Sequence, residues 1–284
     1  MKDTQLLLGI NKLKTINKKY FYFTGLPRAG NTLLSAILNE NPDVHATGHS
    51  FLPDVLFAIK NAEQHSLCFQ NYPCPTNLKN VYKNIIPNYY SHHDFKYIVE
   101  RGDWITPYNY NVLQTIAPNQ IKIVILVRDI LEVIKSYLKL CRDNPNYFYN
   151  RIYKSLDHTT LFTDEIETKV DLMMAKGDYL DIMLYSIHQL KKNNLIKNFL
   201  LIDYNDLTNN PSKTINKIYN YYGIKTFKHS FTKLQKQQPF YNDSVLGAPM
   251  HELKSGPIRK INYDIELPEN VINKYKHLNK ILYE

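Results

Sequence analysis

Apolar residues along this chain follow two alternating patterns. Short unbroken runs of aromatic or branched residues at 21–24, 95–100, 121–127 and 199–203 have the composition of strands. Between them apolar positions recur every three or four residues, as on one face of a helix. This spacing predicts a helix through Leu33, Leu34, Ile37 and Leu38, and one from near Pro53 through Leu56, Phe57 and Ile59 that Ser50 or Asp54 would cap. Further helices are predicted over 78–86, over 107–116 and through Leu131, Ile134 and Leu138. A single long helix is expected over 165–192, with Val170, Met173, Met174, Leu180, Leu184 and Ile187 as its core stripe. A helix through Ile215, Ile218, Tyr219 and Tyr222 is closed by Gly223, and a last one lies near 269–282. Residues 1–19 read as a polar lead-in with a short helix over 6–13, 41–50 as a helix exit and turn, and 143–163 as an aromatic, turn-rich insertion.

The run 121–127 is the strongest strand signal, and its nearly continuous branched character suits a central strand covered on both faces. Strands alternating with helices predict an α/β fold of three layers, a mostly parallel sheet between helices joined by right-handed crossovers. No repeat or linker divides the chain, so residues 1–284 are expected to form one domain.

Composition narrows the class. Hydrophobic residues make up 44% of the 284 and charged residues 21%, as in globular proteins. A net charge of +9 suits a ligand bearing several phosphates, while the lysines are scattered and form no arm, which argues against nucleic acid as partner. No apolar run approaches the roughly 18–20 residues of a membrane span, and Lys2 with Leu6 to Leu8 is too short for a signal peptide. Cys68, Cys74 and Cys141 are odd in number and lack C-x-x-C spacing, so neither a disulfide framework nor a zinc site is expected; the predicted compartment is reducing and cytoplasmic.

The candidate chemistry begins where the first strand ends. Gly25-Leu-Pro-Arg28-Ala29-Gly30-Asn31-Thr32-Leu33 carries an aromatic strand into a helix through a G-x-x-x-x-G-N-T loop, a Walker A spacing with Asn31 at the lysine position. A helix N-terminus offers unpaired N–H groups and the positive end of the dipole to an anion. The fixed cation of this loop is Arg28, whose guanidinium forks onto oxyanions. A second constellation is Arg128, at the tip of strand 121–127, with Ser136 about two helical turns further on. An anion can bridge the two only if that helix packs back over the strand ends, where ligands of parallel sheets bind.

Both segments resemble the PAPS-dependent sulfotransferases (PAPS, 3′-phosphoadenylyl sulfate). The loop is similar to their 5′-phosphosulfate loop, closest to the G-x-P-R-S-G-T-T form of the tyrosylprotein branch, and Ile125-Leu-Val-Arg128-Asp-Ile-Leu-Glu132-Val-Ile-Lys-Ser136-Tyr137 follows their 3′-phosphate segment with Glu132 in place of an aspartate. Leu201-Ile-Asp-Tyr204-Asn-Asp-Leu207 resembles the family segment whose tyrosine lies near adenine, and Lys254-Ser255-Gly256 loosely resembles the loop that closes over the 3′-phosphate. The resemblance covers about 20–223, the cofactor core, and leaves 224–284 as an irregular C-terminal part. It implies a P-loop NTPase-like fold and transfer of a sulfuryl group from PAPS to a hydroxyl or amine, releasing PAP (adenosine 3′,5′-bisphosphate), without metal. Arg28 and the amides of residues 29–33 would hold the 5′-phosphosulfate, Arg128 and Ser136 the 3′-phosphate.

The catalytic base is open between two residues. His49, with an ordinary pKa near neutrality, stands in Thr47-Gly48-His49-Ser50, at the spacing from Arg28 where the tyrosylprotein branch carries a glutamate. Glu100 ends the strand after which cytosolic members carry a histidine. The acceptor (saccharide, phenol, peptide or lipid) and the oligomeric state are not specified by these residues. Two other classes share parts of the pattern: a small-molecule kinase with a degenerate Walker A, and a non-catalytic nucleotide- or nucleic-acid-binding protein.

Overall fold

The computed structural model describes residues 17–117, 121–156, 164–232, 234, 243–253 and 256–284. The helix expected over 6–13, and Lys254 and Ser255, lie outside them. Five parallel strands form one sheet in the order β2-β3-β1-β4-β5, where β1 is Lys19–Gly25, β2 Val44–Ala46, β3 Tyr97–Arg101, β4 Ile123–Val127 and β5 Leu200–Asp203. All five residues of β4 are buried, as its unbroken branched run requires of a strand with both faces covered. The chain moves from β1 to one side of the sheet and then returns through β4 to the other, so the strand order switches at β1, where parallel sheets open a crevice at their carboxyl ends.

The helices flanking the sheet are α1 Asn31–Leu38, α2 Leu52–His65, α3 Leu67–Asn71, α4 Pro75–Tyr89, α5 Pro107–Ile116, α6 Ile130–Asp143, α7 Phe148–Ser155, α8 Glu165–Met173, α9 Tyr179–Lys192, α10 Tyr204–Asn209, α11 Pro211–Tyr222, α12 Glu269–Tyr275 and α13 Asn279–Tyr283. Three expectations are corrected. The single helix over 165–192 is two, α8 and α9: the chain turns through Gly177, and Asp178 caps α9 by accepting from the Leu180 N–H. The turn predicted over 41–50 contains a short edge strand, β2, and the insertion over 143–163 holds the helix α7. Among the described residues no helix is long and apolar enough to cross a membrane.

The tip of β4 is fixed from the far end of the chain. Asp129 caps α6, accepting from the N–H groups of Leu131 at 2.9 Å and Glu132 at 3.1 Å. Asn279 of α13 donates to the second Asp129 oxygen at 2.7 Å and accepts from the Ile130 N–H at 2.9 Å. Arg128, next to this cap, is 2% exposed.

Candidate active site

A cavity of about 640 Å³ opens at the carboxyl ends of β1 and β4. Arg28, Gly30, Asn31, Thr32, Leu33, His49, Arg128, Ser136, Tyr204 and Gly256 all line it, so the two segments singled out in the sequence share one wall. Glu100 is not part of that wall.

The loop after β1 is built to expose nitrogen. Gly30 takes φ +91°, and a Cβ there would meet the Tyr204 ring at 3.0 Å, so any other side chain would be strained in its backbone and crowd that ring. The first N–H to bond within α1 is that of Leu34, to the Gly30 carbonyl at 2.9 Å, which leaves the amides of Asn31, Thr32 and Leu33 as the open first turn. The Ala29 amide is taken by the Leu26 carbonyl at 3.2 Å. Asn31 is not a shortened lysine reaching outward: its Nδ2 donates to the Leu26 carbonyl at 2.9 Å and closes the loop from within.

Arg28 sits in the left-handed region at φ +62°, a conformation that costs a non-glycine residue on the order of 1 kcal/mol. What holds it is visible: Arg128 Nη1 donates to the Arg28 carbonyl at 2.9 Å, Arg28 Nε donates to Ser136 Oγ at 3.0 Å, and Arg28 Nη1 donates to the Met250 carbonyl at 2.8 Å. Helix α6 therefore does pack back over the strand ends. Ser136 Oγ also accepts from the Tyr263 hydroxyl at 2.9 Å, which fills both lone pairs and leaves its own O–H to donate. Arg128 lies over the Tyr204 ring at 4.1 Å, with Tyr263 beside it at 5.3 Å. Its buried Nη2 has no hydrogen-bond partner among the described residues, the nearest carboxylate being Glu132 at 3.6 Å. Burial pushes the Tyr263 phenol up, but the Ser136 hydroxyl, able to donate to a phenolate, and the charges of Arg128 and Arg28 outweigh it and hold the pKa below its ordinary value.

The two candidate bases part company. His49 is exposed on the cavity wall, and crowding by protein, with Arg101 and His251 beside it, drives its pKa down to about 4. Glu100 is fully buried. One of its oxygens accepts from Thr47 Oγ1 at 3.3 Å and the other has no partner among the described residues. Burial lifts its pKa to about 8 against the bonds from Ser50 and Thr47, so near neutrality the carboxyl keeps its proton. Its neighbour Arg101 lines the cavity and donates to the Gly48 carbonyl. Sequence reading did not find Tyr263 or His251, which line the cavity, or Asp243, which bonds His251. Among the described residues no cluster of His, Cys, Asp or Glu could hold a metal ion.

A profile described as the sulfotransferase family matches residues 21–228, well over half of the chain. The chain belongs to the sulfotransferase family. Family members are transferases. Two solved structures are similar in fold. The sulfotransferase domain of the olefin synthase from Synechococcus PCC 7002 superposes with a TM-score of 0.51 at 14% identity, over 96% of this chain and 98% of that one. The sulfotransferase domain from the curacin biosynthetic pathway gives a TM-score of 0.51 at 13% identity, over 92% of this chain and 98% of that one. No curated protein matches the sequence.

Proposed function

We propose that this sulfotransferase moves a sulfuryl group from PAPS to a hydroxyl or amine acceptor and releases PAP. The observation that carries the reading is the convergence of Arg28, Arg128 and Ser136 on one cavity, with donors still open: the first-turn amides of α1, the Ser136 hydroxyl and the Nη2 of Arg128, which makes no hydrogen bond among the described residues. Such a donor set suits a nucleotide with an anion at each end. PAPS, when bound, supplies a sulfuryl group activated by its 5′-phosphate. Arg28 and the amides of Asn31, Thr32 and Leu33 hold that end, and Arg28 steadies the charge that grows on the departing phosphate oxygen. Arg128 and Ser136 hold the 3′-phosphate, with Gly256 on the rim beside them. Tyr204, held against Arg128, borders the base. The acceptor's proton passes to one of the two histidines of the wall, His49 or His251, while Glu100, sealed from the cavity, holds the end of β3.

Calorimetry with PAP against adenosine 5′-phosphate tests the reading. PAP is expected to bind about 100-fold more tightly, and Arg128→Ala is expected to erase most of that difference. Absence of PAP binding, or an unchanged preference in Arg128→Ala, would sink it. Labelled PAPS offered with phenols, saccharides, peptides and lipids then identifies the acceptor.

A further inference from the structure

Asp243 opens the 3₁₀ turn Asp243–Val245. Its Oδ1 bonds His251 Nδ1 at 2.7 Å, and its Oδ2 accepts from the His251 backbone N–H at 3.1 Å. A carboxylate can only accept, so in the neutral ring Nδ1 carries the hydrogen and Nε2 keeps the lone pair. His251 lines the cavity with Arg28 and His49, and the two imidazoles are 6.0 Å apart. The carbonyl just before it, of Met250, accepts from Arg28 Nη1 at 2.8 Å, which ties this histidine to the arginine of the phosphosulfate loop.

The turn is also fastened from outside the cavity. The Leu246 carbonyl accepts from the Phe148 N–H at 2.8 Å, and the Val245 carbonyl from Arg151 Nη2 at 2.7 Å. A Cβ on Gly247, at φ +72°, would lie 2.1 Å from the Asn146 carbonyl oxygen, so only glycine lets the turn seat against α7.

We infer that Asp243 and His251 form the dyad that activates the acceptor, His251 as the base and Asp243 as the residue that positions it. The inference rests on the sulfuryl-transfer reading. His251 Nε2 removes the acceptor's hydroxyl proton as the oxygen–sulfur bond to the acceptor forms. The sulfur–oxygen bond to the 5′-phosphate breaks, its electron pair staying on the phosphate oxygen that faces Arg28. Asp243 then holds the imidazolium through Nδ1–H until the proton leaves to water. Among the described residues, the titratable and charged groups that act on the ring include Asp243, Arg101, Arg28 and His49. Burial lowers the His251 pKa, the bond to Asp243 raises it, and the charges of Arg101 and Arg28 lower it. For His49 crowding by protein and the charges of Arg101 and His251 all push downward, to about 4, where an imidazole is a weak base at neutral pH.

Two readouts on the full chain with PAP bound test the dyad. Nitrogen-15 NMR of the histidine rings should show His251 as the Nδ1–H tautomer, and Asp243→Asn should abolish that preference. Turnover of labelled PAPS, with water and with 2-naphthol as acceptors, should fall about 100-fold in His251→Gln, with PAP affinity within about threefold of the parent. That loss should exceed the loss in His49→Gln. Asp243→Asn should lower turnover about tenfold and move the acidic limb of its pH profile to lower pH, because the influence raising the His251 pKa is gone. An Nε2–H tautomer, or His251→Gln within about threefold of the parent, overturns the inference. The tautomer decides where turnover is too slow to follow, and loss of PAP binding in the parent would instead remove the donor reading itself.

Discussion

The two ends of the cavity are made by different means. The end under β1 and β4 consists of backbone amides, two arginines and a serine, all within a few residues of strand tips or in the first two turns of a helix. The opposite end is walled by Tyr147, Phe148, Tyr149 and Tyr179 and by the turn that carries His251. Tyr149 donates to Asp178 at 2.8 Å and Tyr179 to Asp103 at 2.6 Å, so what these side chains add to the wall is largely aromatic carbon. One group of lining residues is thus rich in cations and open amides and the other in aromatic rings, with Asp143, Asp178 and Arg101 also on the wall. On the proposed reading, the donor's anionic end and the acceptor would be sorted between these two groups before any reaction.

Arg28 stands at the boundary, and Arg28→Lys is the strongest challenge to this division. Lysine keeps the charge but gathers its donors on one nitrogen and loses the planar fork that spans Ser136, the Met250 carbonyl and a ligand, so turnover of labelled PAPS is expected to fall about 100-fold. A variant with near-parental turnover would mean that charge alone, without the fork, defines the boundary.

Glu100 belongs to neither end, and stability against pH separates it from both. Its carboxyl is raised in the fold from 4.5 to about 8, so between these values the unfolded chain releases a proton that the folded chain keeps. Stability is therefore lost as pH rises through that window. Glu100→Gln should flatten the decline and at pH 8 be on the order of 1–2 kcal/mol more stable, a gain of about 3–6 °C in Tm. Equal pH slopes for variant and parent would place Glu100 in contact with water and return it to the cavity.

The smallest expected effect sharpens the charged end. Tyr263→Phe removes the phenol that fills one lone pair of Ser136, and PAP affinity is expected to fall by about 1 kcal/mol, several-fold in Kd, by calorimetry. An unchanged Kd would mean that Ser136 is positioned by Arg28 alone.

The same contrast explains what could be read from the sequence. Arg28, Arg128 and Ser136 were legible because strand ends and helix starts are local: an apolar run, a breaker and a periodic stretch fix their places within a few residues. Family membership and the parallel α/β sheet followed from the same signals. The strand β2 was missed because three residues between turn formers carry no period. The break between α8 and α9 was written in Gly177-Asp178, yet the apolar stripe runs on through it and hid the stop. His251, Asp243 and Tyr263 lie in an irregular stretch whose position is set by distant partners, such as Phe148 for Leu246 and Ser136 for Tyr263. No pattern of neighbours along the chain marks them.

The double tether of Arg28 has a consequence for how tightly a nucleotide is held. A free arginine side chain carries roughly 2 kcal/mol of rotamer entropy, and here the bonds to Ser136 and Met250 remove much of it when the chain folds. Affinity at the charged end is therefore inherited in part from the rigidity of a turn on the other side of the cavity. On the proposed reading, residues such as Arg151, which fasten that turn from outside, would contribute to nucleotide binding without lining the cavity at all.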